Sequence, residues 1–91
     1  MQLMGFKVVE IQPTPNPNAA KFVLDREIND RPMSFLTPAD GAGHPLASQL
    51  FGIKGVTSVL ILGDFVTINK SASAEWKQIA DKAKEILQKT P

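Results

Sequence analysis

The chain has 91 residues, and its ten Lys and Arg against nine Asp and Glu leave a formal net charge of +1, so it has room for one modest core and lacks the basic excess of a phosphate-neutralising protein. Nucleic acid is therefore not an expected partner, and with no apolar run near the roughly 20 residues that cross a bilayer, neither is a membrane. Cysteine is absent, which excludes a disulfide, a thiolate nucleophile and a thiolate-held iron–sulfur cluster on these residues.

The start, "MQLMGFKVVEI", has no basic region, long apolar run or small-residue cleavage site, so the expected location is cytoplasmic. Within it, "FKVVEI" over residues 6–11 reads as a strand, with Val9 and Ile11 on one face and Phe6 and Val8 on the other. Next comes "IQPTPNPNAAKFVL", with prolines at 13, 15 and 17 and asparagines at 16 and 18. Each proline fixes φ near −65° and pushes its predecessor toward extended geometry, so the connection is stiff and unable to form a full ladder. It leads into "AKFVLD", a second strand with Phe22 and Leu24 on one face and Lys21 and Val23 on the other. The pair reads as an antiparallel hairpin closed by a long, rigid loop.

From residue 26 to 43 periodicity weakens: "MSFL" suits a short third strand, and "TPADGAGHP" is rich in turn residues. "HPLASQLFG" predicts a short helix with Pro45 at its first position, Leu46, Ala47, Leu50 and Phe51 on one face, and Gly52 at its end. "VTSVLIL" and "FVTINK" then form a hairpin across Gly63 and Asp64. From Ser73 the spacing of Trp76, Ile79, Ala80, Ala83, Ile86 and Leu87 predicts a helix of about four turns, with Ser73 as its cap and Glu75 in the first turn. The expected architecture is a single α+β domain over 1–91, mainly an antiparallel sheet with two helices on one face, in the order β-β-(β)-α-β-β-α.

Little of this sequence suggests catalysis or metal binding. His44 is the only histidine and stands at a helix entry, "DGAGH" supplies too few ligands for a closed metal site, and no carboxylate pair sits in a recognisable catalytic pattern. Neither a dinucleotide nor a P-loop fingerprint occurs. The expectation is a non-enzymatic chain with no catalytic residues, metal or cofactor.

The run "IQPTPNPNAAKFVLDREI" resembles the signature of the Nfu N-terminal domain of NifU-like iron–sulfur scaffold proteins. Further matches follow in the same order: "HPLASQLF" at a helix entry, "IKGV" at the following step, and "GDFVTI" at a hairpin and strand. His44 and Lys54 depart from the family's usual Ser and Pro. The resemblance covers residues 6–87 and implies an α+β accessory or protein-interaction domain in iron–sulfur cluster assembly. Its partners would be assembly or client proteins, and the cluster-carrying cysteines would lie in a different, C-terminal CxxC domain, supplied here in trans.

Asn16, Asn18 and Lys21 offer polar groups on or beside the stiff loop, where little entropy remains to be lost on binding, and Asp64 and Phe65 at the second hairpin are candidates for the same partner-binding surface. Turn chemistry alone also accounts for the two asparagines, and for Asp64–Phe65 a turn followed by a core aromatic is the favoured reading over a binding surface. A small-anion or metabolite site near the loop is the alternative function; a deep apolar pocket beside Lys21 would favour it.

Overall fold

The computed structural model describes residues 5–89, the side chains of residues 29 and 30 apart; the domain expected over 1–91 extends at both ends beyond them. The elements in order are β1 (Val8–Pro13), β2 (Ala19–Leu24), β3 (Asn29–Phe35), α1 (Pro38–Gly41), α2 (Pro45–Phe51), β4 (Val56–Gly63), β5 (Phe65–Lys70) and α3 (Trp76–Lys89). The strands form one sheet in the order β1-β2-β5-β4-β3, and every pairing is antiparallel. This is the α+β class that the residue pattern predicts.

Alternation along the strands decides which face is covered. Phe22 pairs with Val66 and Val66 with Ile61, while Ala20 pairs with Ile68 and Ile68 with Val59; because paired residues point to the same side, these form one apolar face. Leu46, Ala47 and Leu50 from α2 and Ile79, Ala83 and Leu87 from α3 pack against that face in one core. Each large apolar side chain buried there stabilises the fold by roughly 1.5–3 kcal/mol. On the opposite face Lys21, Val23, Leu60, Leu62, Phe65 and Thr67 stay half-exposed.

Several expectations are corrected. Val8 pairs with Leu24 and Ile11 with Phe22, with a register break between Val8 and Glu10, so Val8 and Ile11 share the helix side instead of opposing each other. An inserted residue in a strand resets its alternation. The first strand also runs on to Pro13, which pairs with Ala20; a proline is tolerated there because β1 is an edge strand. The third strand is present, and "TPADG" forms the short helix α1, capped by Thr37, whose side chain accepts from Asp40 N–H. There are thus three helical segments among the described residues instead of two. Ser73 does not cap α3: Ala74 N–H bonds Ser71 O, a turn that occupies this stretch, and the helix starts at Trp76. Gly52 ends α2 with an ordinary right-handed φ of −70°.

One turn and one helix entry stand as predicted. Leu62 pairs with Phe65 across Gly63 and Asp64, and Gly63 has φ +58° while no non-glycine residue among the described ones has positive φ. His44 is the helix-entry residue of α2: its Nδ1 accepts from Ala47 N–H at 3.2 Å, the bond that a serine hydroxyl makes at a helix N-cap.

Candidate functional site

The Pro/Asn loop is closed by its own side chains. Asn16 Oδ1 accepts from Asn18 N–H at 2.9 Å, an Asx turn, and Ala19 N–H bonds Asn16 O at 3.0 Å across Pro17. The Thr14 hydroxyl accepts from Asn16 N–H at 3.1 Å and directs its proton toward the carbonyls of Asn16 and Ala19. The Asn16 side chain therefore holds the turn, as turn chemistry alone would have it, whereas the Asn18 side chain faces Lys70 on β5.

Two residues from elsewhere fasten this loop to the body of the domain. Trp76 Nε1–H donates to Pro17 O at 3.0 Å. Lys70 Nζ donates to Asn18 Oδ1 at 3.1 Å and to Ser71 O at 3.3 Å, and lies 5.6 Å from the Trp76 ring centre. The indole in turn packs at 6.3 Å on Phe22. Helical spacing puts Trp76 on the core face of a helix, but no local signal marks its partner 59 residues away or the contact that Lys70 makes with the loop.

Between the loop, β1, β2 and the start of α3 lies an open groove of ≈ 400 Å³, walled by Ile11, Pro13, Phe22, Trp76, Lys77 and Ala80 among others. It is predominantly apolar, and among the described residues Lys77 is the one charged side chain lining it. Ile11 is 38% exposed there. Indole, proline ring and aliphatic surface held by a fixed loop form the kind of concave surface that receives a partner's apolar side chain.

The five residues singled out from sequence do not form one site. Asn16 lines this groove and the Asn18 side chain is held by Lys70, whereas Lys21 pairs with Thr67 on the opposite, uncovered face. There its ammonium lies 4.1 Å over the Phe65 ring. Phe65 pairs with Val23 and is half-exposed, so it is not a core aromatic. Asp64 stands in the turn at the far end of β2, where its carbonyl accepts from Leu24 N–H at 2.7 Å. The structure brings Lys21 and Phe65 together and separates them from the asparagines by the thickness of the sheet. The apolar groove is not beside Lys21, so the condition set for an anion or metabolite site there is not met.

The family described as scaffold protein Nfu/NifU N terminal matches residues 9–90. The chain belongs to this family. Human "NFU1 iron-sulfur cluster scaffold homolog, mitochondrial" is 44% identical over 66 residues, 71% of this chain and 26% of that protein. The protein of the same name from Drosophila willistoni is 39% identical over 80 residues, 84% of this chain and 28% of that one. The chain thus spans about a quarter of the length of these curated relatives. Among solved structures, a NifU-like protein from Saccharomyces cerevisiae superposes with a TM-score of 0.81 at 28% identity, covering 98% of this chain and 82% of that one. Protein SAV1430 from Staphylococcus aureus shares the fold, with a TM-score of 0.74 at 22% identity over 88% of this chain and 96% of that one.

Proposed function

We propose that this Nfu N-terminal domain is a non-enzymatic protein-interaction module of iron–sulfur cluster assembly that works beside a cluster-carrying partner supplied in trans. Family membership over residues 9–90 supports the process, and the apolar groove under the fastened Pro/Asn loop supports the interaction. On this reading the cluster is cargo held by the partner, because residues 1–91 contain no cysteine to ligate it. Adding iron and sulfide to the chain alone is expected to give no stable visible chromophore.

No helix among the described residues is long and apolar enough to cross a membrane, and cytoplasmic residence is the accompanying proposal, checked by cell fractionation. The deciding experiment titrates the isotope-labelled chain with a cysteine-bearing domain of an Nfu protein, with and without its cluster. Amide shifts are expected around the Pro/Asn loop and the start of α3. If neither form shifts any amide, this reading is lost.

A further inference from the structure

The free edge of β1 runs along one wall of the groove. Leu24 N–H bonds Asp64 O, toward β5, and alternate residues of a strand bond the same neighbour, so Phe22 bonds that way too. Ile11, paired with Phe22, then turns its own N–H and C=O outward to the edge, while its side chain lines the apolar groove. Val9 beside it is 56% exposed, one of three exposed large apolar side chains among the described residues. An outward donor–acceptor pair, an adjoining apolar slot and one rim cation, Lys77, specify a ligand in three respects at once: extended backbone, one apolar side chain, and a carboxylate nearby.

From this arrangement we infer that the groove binds a short, extended, acidic peptide segment of a partner protein, which hydrogen-bonds the Ile11 edge and inserts one aliphatic side chain between Ile11 and Trp76. Pro13 has no N–H to offer, and the bulge at Val8–Glu10 breaks the ladder on the other side, so the added strand is held by few main-chain bonds. Affinity comes mainly from the inserted side chain, and the carboxylate pairing with Lys77 selects acidic over basic segments. The inference rests on the interaction reading above for its biological setting and on the groove alone for its chemistry.

Trp76 is the chain's only tryptophan, so its emission reports directly on the slot. The probe is the blocked heptapeptide Ser-Thr-Asp-Leu-Asp-Thr-Ser, compared with a version carrying Lys for both Asp and one N-methylated at the leucine. The acidic peptide is expected to change Trp76 emission saturably and to slow exchange of the Ile11 amide. The lysine peptide should bind about fivefold or more weakly, and N-methylation should abolish amide protection. Lys77→Glu, on the exposed face of α3 and checked for folding by circular dichroism, should reverse the preference between acidic and basic peptides. No saturable response up to about 1 mM, equal binding of both charge types, or an unprotected Ile11 amide overturns the inference. So does protection of that amide that rises with chain concentration and ignores peptide, which would identify a second copy as the occupant. Peptide binding without response to the cysteine-bearing domain would leave the groove chemistry intact and sink the cluster-assembly reading; the opposite result would do the reverse.

Discussion

The two hairpins of this domain are closed by opposite means. β4 and β5 meet in two residues, Gly63 and Asp64, and the turn needs only the positive φ that glycine supplies. β1 and β2 meet through Thr14 to Asn18, a loop that bonds to itself and is then fastened by Trp76 and Lys70, which lie far away in sequence. A turn made of backbone preference needs no side chain from elsewhere to close it, although its carbonyls still accept from Leu24 and Ile28 N–H. One fastened by tertiary contacts ties the loop to the start of α3, so that loop, helix and groove stand or fall together.

The largest expected effect breaks the fastened hairpin. Trp76→Ala removes a half-buried indole and its bond to Pro17, and should cost about 2–3 kcal/mol, less than the ~3–5 kcal/mol of a fully buried aromatic. Denaturant unfolding checks it, and an unchanged midpoint would mean that α3 is not docked through this residue. Trp76→Phe separates the indole hydrogen bond from the packing and should cost about 1 kcal/mol.

Next comes the hairpin with the two-residue turn. A Cβ at Gly63 would meet nothing within 4 Å, so Gly63→Ala isolates the conformational cost of positive φ, about 1–2 kcal/mol. Amide shifts from this variant should stay near the β4–β5 turn, whereas those from Trp76→Ala should reach the Pro/Asn loop. If both spread equally, the contrast between the hairpins fails.

Smaller still, Asn16→Ala removes the Asx bond to Asn18 N–H and should lower stability by about 1 kcal/mol. Lys21→Ala should stay within about 0.5 kcal/mol, because its ammonium rests over a half-exposed ring on the uncovered face. If Lys21→Ala nevertheless weakens binding of the cysteine-bearing domain, the partner surface extends to that face.

Local signals carried much of the architecture. Alternation in β2, β4 and β5, the helical spacing of Ile79, Ala83 and Leu87, and Gly63 at a tight turn were legible because each is governed by neighbours within a few residues. The facing of Val8 was not, since one inserted residue reverses alternation without changing composition. Ser73 looked like a cap because its chemistry suits one, but the Ser71–Ala74 turn already uses that stretch. The candidate site was least legible. Its polar residues were found on the loop, but the apolar wall comes from Ile11, Phe22 and Trp76, which ordinary core spacing explains equally well, and Lys21 was assigned to the loop's surface by proximity in sequence although strand alternation puts it behind the sheet.

The two edge strands share a device whose meaning lies outside the native fold. β1 carries Pro13 and a bulge, and β3 carries Pro32 and a register break between Asn29 and Met33. Each proline deletes a donor and each irregularity turns the ladder out of line, so neither margin presents the long, flat run of backbone groups that templates cross-β growth. Along both margins, edge-to-edge pairing with another sheet therefore finds only short stretches of matched backbone, room for a brief added strand and not for a continuous one.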